Sequence, residues 1–174
     1  MLRDAEEADL EAIRRWRNDE RVRVVSLTSH EIGPEEHRRW WRRASTDPSR
    51  RVLVYERAGV PSGVVNFFDL DDTARTVAWG FFLDLAGLDA RGETLPAWLE
   101  IQRDALDHAF DVLGVDVLTG EVLEHNTVVR RMNRRFGFAE GEPTVRTAGD
   151  RVVRVHPIRL HRDDRRARPT QESA

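Results

Sequence analysis

The stretch whose reading decides the fold runs from Val115 to Phe138, VDVLTGEVLEHNTVVRRMNRRFGF. Its first half alternates: Val115, Val117, Thr119, Glu121 and Leu123 share one side, and Asp116, Leu118, Gly120 and Val122 the other. That is the period-two pattern of a mostly buried strand. From Asn126 to Phe136 the pattern turns helical, with Asn126 suited to cap the N-terminus and Gly137 the C-terminus. A strand that feeds straight into a helix aims unpaired backbone N–H groups at one point, which suits an anionic or carbonyl-bearing ligand. The candidate site is placed there.

Toward the C-terminus, residues 140–147 and 151–160 flank Ala148-Gly149-Asp150 and predict a closing hairpin. Residues 161–174, rich in Arg, Asp, Pro and Ser, read as a disordered tail, leaving residues 1–160 as one domain. Toward the N-terminus, residues 85–96 read as a loop and 97–114 as a long amphipathic helix with Leu99, Ala105, Leu106, Ala109, Phe110 and Leu113 facing the core. Residues 50–56, 60–69 and 74–84 predict three strands joined by turns at Ala58-Gly59 and Asp71-Asp72, an antiparallel meander. Gly80, inside the third, is consistent with a bulge or a close ligand approach. At the front, residues 1–4 are a stub of edge strand, and residues 9–18 carry Leu10, Ile13 and Trp16 at helical spacing. Pro34, with Glu35 and Glu36 behind it, opens a second helix that runs to about Arg43.

A chain of 174 residues, 40% hydrophobic and 34% charged, is long enough for one domain with a substantial core. Its net charge of −3 supplies no global positive field, which argues against nucleic acid and membrane surfaces as partners. No apolar run reaches spanning length and no charged-then-apolar leader opens the chain, so the expectation is a soluble, unprocessed, cytoplasmic protein. Cysteine is absent, which removes disulfides, thiolate zinc sites and an acyl-cysteine intermediate together. His30, His37, His108, His125, His156 and His161 lack a metal-ligand spacing, and no metal is expected.

The string Asn126-x-x-Val129-x-x-Met132-x-x-x-x-Gly137-Phe138, preceded by a strand, resembles the last shared segment of the GNAT superfamily, the acyl-CoA-dependent N-acetyltransferases. The likeness extends over most of residues 1–160. It implies an α/β fold, a GNAT-like mixed and mostly antiparallel sheet with helices on both faces, and acetyl-CoA as co-substrate. Trp79-Gly80-Phe81-Phe82-Leu83 resembles the superfamily's central strand, which splays from its neighbour; the main chain near Phe82 and Leu83 would then bind the acetyl carbonyl. Superfamily members cradle the CoA pyrophosphate in a loop of Gln or Arg, two residues, then Gly-x-Gly. Here Asp89 stands at the Gln/Arg position, Gly92 fits the first glycine, Thr94 replaces the second, and Pro96 removes an amide. By resemblance Arg91, Gly92, Glu93, Thr94, Asn126 and Arg134 hold CoA.

Two segments bear on the acceptor. Trp16-Arg17-Asn18-Asp19-Glu20 is similar to the signature of the branch containing ribosomal-protein N-terminal acetyltransferases. Residues 26–41 are similar to the aminosugar N-acetyltransferases of the pseudaminic acid pathway. The second likeness implies an acceptor pocket of Trp16, His30, Trp40, Phe67 and Trp79 converging on the Glu121 end of the sheet, with indoles stacked on sugar or base faces. Arg38, Arg39, Arg42 and Arg43 would meet phosphate.

Acetyl transfer from a thioester to an amine needs a base, a donor to the developing oxyanion and an acid for the leaving thiolate. Glu121, read as lying among apolar neighbours that raise its pKa, is the first base candidate and His125 the second. Many superfamily members place a tyrosine acid where this chain has Asn133, and Tyr55 is the sole tyrosine. The thiolate therefore leaves with Asn133, His125 or water helping, or as the free anion. An aminosugar amine, less basic than lysine, fits such sparse equipment; a peptide N-terminus and a non-catalytic acyl-CoA-binding domain are the alternatives. A homodimer is expected if the closing hairpin exposes an edge.

Overall fold

The computed structural model describes residues 1–148 and 151–165. Its strands are β1 (Leu2–Asp4), β2 (Arg51–Arg57), β3 (Val60–Asp71), β4 (Thr76–Leu83), β5 (Val117–Leu123), β6 (Ala139–Glu140), β7 (Thr144–Ala148) and β8 (Arg151–His161). They form one sheet in the order β1-β2-β3-β4-β5-β8-β6, with β7 also paired to β8. Every pairing is antiparallel except β4 with β5. Those two run parallel because a helical crossover, residues 85–112, joins them. The sheet is therefore mixed and mostly antiparallel.

Alternation along the meander divides the core in two. Leu53, Tyr55, Val65, Phe67, Val77 and Trp79 pack with Ala97, Ile101 and Ala105 of helix α5 (Thr94–Asp107) on one face. Val52, Val54 and Val64 face Ile13 and Trp16 of α1 (Leu10–Arg17) and Ala44 of α3 (Pro34–Ala44) on the other. Helices thus cover both faces. The short α2 (Glu20–Arg23) follows α1, and α6 (Thr127–Arg135) follows β5.

Three expectations need correction. Residues 85–90, read as loop, form helix α4 (Leu85–Ala90), N-capped by the Asp84 side chain, which accepts from the Gly87 N–H at 3.1 Å. The predicted strand over 140–147 breaks at Gly141-Glu142-Pro143, leaving β6 and β7 as separate partners of β8. The tail does not begin at residue 161. His161 lies in β8, Arg162 donates to the Val115 carbonyl at 2.8 Å, and Arg165 pairs with Asp111 at 2.8 Å. The rest of the predicted tail, residues 166–174, lies outside the described residues. No helix among the described residues is long and apolar enough to cross a membrane.

Candidate active site

β4 and β5 pair at three positions, Thr76 with Val117, Val77 with Leu118 and Ala78 with Thr119, and then part. Each arm of the resulting V stays anchored on its outer side. β4 remains paired to β3 as far as Leu83 with Gly63, and β5 to β8 as far as Leu123 with Val155. At the crotch Trp79 stacks on Phe81 at 5.4 Å and on Phe138 at 5.9 Å between ring centroids. This aromatic wedge sits on the α5 side, with Trp98 edge-on to Phe81 at 6.3 Å.

Which amides face the gap follows from register. The Asp84 N–H donates to the Ser62 carbonyl at 2.9 Å. Antiparallel alternation then turns the main chain of Phe82 and Gly80 toward β3, and that of Trp79, Phe81 and Leu83 toward β5. The Trp79 carbonyl agrees, lying 3.2 Å from where a Cβ on Gly120 of β5 would sit. Beyond Ala78 no residue of β5 pairs with β4, so the Phe81 and Leu83 amides have no ladder partner. Of the two expected main-chain donors, Leu83 faces the gap and Phe82 does not; Phe81 takes its place. The signal was available in the strand's parity, but only with the register known.

Glu121 lies on β5 with a partly buried side chain whose carboxylate is paired rather than packed among apolar groups alone: Arg146 of β7 donates to it, Nε at 2.9 Å. His125 is exposed, its Nε2 2.9 Å from the Val24 carbonyl, so it joins the loop after β5 to the loop after α2. Asn133 is buried; its Oδ1 accepts from Nε2 of Gln102 on α5 at 3.0 Å. Gln102 is wholly buried and its own Oε1 has no partner among the described residues. Neither Gln102 nor Trp98 was named as a site residue from the sequence, and Phe81 and Phe138 entered only as parts of motifs, although a glutamine inside the apolar stripe of α5 was a visible anomaly.

The five expected acceptor residues do not converge. Trp16 and Trp40 pack on the α1 face, Trp40 stacked on His37 at 5.1 Å. Phe67 and Trp79 are buried on the opposite face, Phe67 against His108 at 5.5 Å. His30 is exposed and held by Glu36 at 2.9 Å. What the α1 face offers instead is a cleft of about 480 Å³ beside the end of β4, lined by Trp16, Arg14, Arg15 and the carboxylates of Glu11, Asp19, Glu31 and Asp84.

At the start of α5 the loop differs from the expected cradle. Gly92, at φ 67°, is the left-handed residue that ends α4: its N–H donates to Asp89 O at 3.0 Å and that of Glu93 to Leu88 O at 2.9 Å. This is the Schellman pattern of a helix terminus. The Arg91 N–H is also spent, on Leu88 O at 3.1 Å. Glu93 holds Arg91 at 2.9 Å and Arg57 at 3.4 Å, and the Thr94 hydroxyl donates to Asp89, which also pairs with Arg21. These partners hold the Glu93 and Asp89 carboxyls below their ordinary range, hydrogen bonds from Arg91 and from Thr94 being the main causes. Asn126 caps α6, accepting from the Val129 N–H at 3.3 Å, and Arg134 on the same helix reaches Glu140 at 3.5 Å.

A mixed sheet that opens between parallel central strands, with orphan amides along one lip, defines an α/β fold suited to holding a thioester by main chain. Residues 1–139 match the acetyltransferase (GNAT) domain, and the chain belongs to that family. It is an N-acetyltransferase, and acetyl-CoA is the co-substrate of such enzymes. Among solved structures, spermidine N-acetyltransferase from Vibrio cholerae in complex with CoA and spermine superposes with a TM-score of 0.78 at 19% identity, covering 94% of this chain and 96% of that one. A candidate phosphinothricin N-acetyltransferase gives 0.72 at 22% identity, covering 92% and 97%. At these identities the likeness is one of fold. No curated protein matches the chain by sequence. The gap fits a pantetheine arm, having free amides and an apolar wall; the start of α5 fits a pyrophosphate poorly, the Arg91, Gly92 and Glu93 amides being spent and only those of Thr94 and Leu95 left free.

Proposed function

We propose that the chain transfers an acetyl group from a pantetheine thioester in the β4–β5 gap directly to the amine of a small molecule, with the Phe81 and Leu83 amides as oxyanion donors. The parting of β4 and β5 after Ala78 carries this reading. The amine nitrogen bonds to the carbonyl carbon, the C–S bond breaks, the amine proton passes to a base at the β5 lip, and a proton returns to the thiolate sulfur. Glu121 and His125 remain the base candidates, and Asn133 the polar group proposed beside the leaving sulfur.

The first acceptor class is the amine of a nucleotide-linked or antibiotic-type aminosugar. The likeness of residues 26–41 supports it, together with exposed Arg38, Arg39, Arg42 and Arg43 on or beside that segment. A second reading, an aliphatic polyamine, is favoured by the excess of acidic over basic residues lining the α1-face cleft, Glu11, Asp19, Glu31 and Asp84 against Arg14 and Arg15. We place the enzyme in the cytoplasm. Free-thiol release from acetyl-CoA against aminosugars, polyamines and peptides decides among them. The expected outcome is turnover with aminosugars above the other two; polyamine turnover above aminosugar turnover moves the assignment to the second reading. No thiol release with any amine would defeat the transferase reading. The chain has no lysine, so side-chain self-acetylation adds no background.

A further inference from the structure

The donor cleft is asymmetric: rich in free groups where a pantetheine arm would lie and poor where phosphates would. CoA differs from pantetheine by a nucleotide end whose phosphates need amides or unpaired cations. The segment joining β4 to α5 offers few of either. The Arg91, Gly92 and Glu93 amides all close the end of α4. Pro96 has none, and the Ala97 N–H donates to Glu93 O at 2.9 Å. Only Thr94 and Leu95 retain free N–H groups, and the Glu93 carboxylate stands at the cap position beside them. The nearby cations each already face a carboxylate: Arg57 those of Glu93 and Glu100, though its Nε makes no hydrogen bond, Arg91 that of Glu93, and Arg21 those of Asp19 and Asp89. A phosphate placed there would have to displace carboxylates. On the pantetheine side the balance is reversed, with the Phe81 and Leu83 amides left without a ladder partner where β4 and β5 part.

We propose that this chain recognises its acyl donor through the pantetheine thioester and not through the nucleotide, so that acetylated pantetheines lacking the nucleotide serve as donors comparable with acetyl-CoA. The transfer balances in the same way with either: the acetyl C–S bond breaks, the amine N–C bond forms, and free pantetheine thiol is released in place of CoA. The inference rests on the donor cleft of the proposed function, and one set of binding measurements separates the two. Titration calorimetry on the purified chain with CoA, phosphopantetheine and pantetheine needs no acceptor. Dissociation constants for CoA and pantetheine within about tenfold of each other, with little dependence on salt, are the expected result. CoA more than about tenfold tighter overturns the inference and leaves the transferase reading standing. Failure of all three ligands to bind defeats the cleft and the inference with it. A second arm tests the cause. Glu93→Gly with Pro96→Ala should tighten CoA at least about tenfold and leave pantetheine unchanged, since only the phosphates gain an amide and lose a carboxylate. If CoA affinity does not rise in that variant, the assignment of phosphate exclusion to Glu93 and Pro96 is wrong.

Discussion

Glu121, the proposed base, and Asn133, proposed to lie beside the leaving sulfur, are each already tied to a neighbour. Arg146 holds the Glu121 carboxylate, so a base role requires the pair to open or the proton to be taken while the guanidinium stays in place. Glu121→Gln should lower kcat by about tenfold to a thousandfold with donor affinity unchanged, read as thiol release; an unaltered kcat would retire Glu121 in favour of His125. Asn133 poses a question of stability as well. Its Oδ1 depends on Gln102, so Gln102→Leu leaves a buried acceptor unsatisfied and should cost about 1–3 kcal/mol in denaturant unfolding. Adding Asn133→Leu removes the stranded partner and should recover most of that loss. A double variant less stable than either single one would show that the two amides do not form a unit. At this scale the sequence was only partly legible. Asn126 as a cap could be read because a helix start has a local grammar. That Trp16 and Phe67 are core residues on opposite faces could not, because burial depends on which neighbours the sheet brings.

Two glycines on adjacent central strands separate packing from ligand approach. A Cβ on Gly63 of β3 would sit 2.8 Å from both the Phe82 carbonyl and Leu83 Cδ2. Gly63→Ala must therefore push β4 aside, at a cost of about 1–3 kcal/mol, moving the Leu83 amide with it. A Cβ on Gly80 would meet nothing within 4 Å. Gly80→Ala should leave stability unchanged or slightly raised, because alanine restricts the unfolded chain more than glycine does. If its KM for donor or acceptor rises while its melting temperature holds, a ligand passes over Gly80; unchanged kinetics would mean that the open space there is solvent. Most elements were legible, because the meander, α5 and the β5–α6 unit each carry a clear period or cap. α4 was missed because its six residues make fewer than two turns and include a glycine, too short a run to set a helical period. That one omission also hid the role of Gly92: a glycine read in isolation suits a phosphate cradle, but one that follows a helix suits its C-terminus.

For the whole molecule, the pH dependence of stability should resolve into two windows with different causes. His37 and His108 are both pushed below the ordinary histidine range, chiefly by burial. Arg14 adds to the effect at His37 against Glu11 and Glu36, and Arg51 at His108 against Asp4. In the unfolded chain each binds a proton near the usual value of about 6.5. As pH falls through that value the unfolded state gains protons that the folded state refuses, so stability present above it is lost, by at most about 1.4 kcal/mol per pH unit for each group. Carboxylates behave differently because their partners are cations. Arg3 holds Asp9 below its usual range and Arg130 does the same for Glu140, so their stabilisation persists well below neutrality and disappears only in acid. The melting temperature should therefore fall from about pH 7.5 to about 5.5 and again below about pH 4. His37→Phe with His108→Phe keeps rings against Trp40 and Phe67 and should flatten the first step while leaving the second. Thermal melts of the two proteins across that range check it, and a wild-type melting temperature that does not change between about pH 7.5 and about 5.5 would show that neither buried imidazole resists protonation in the fold.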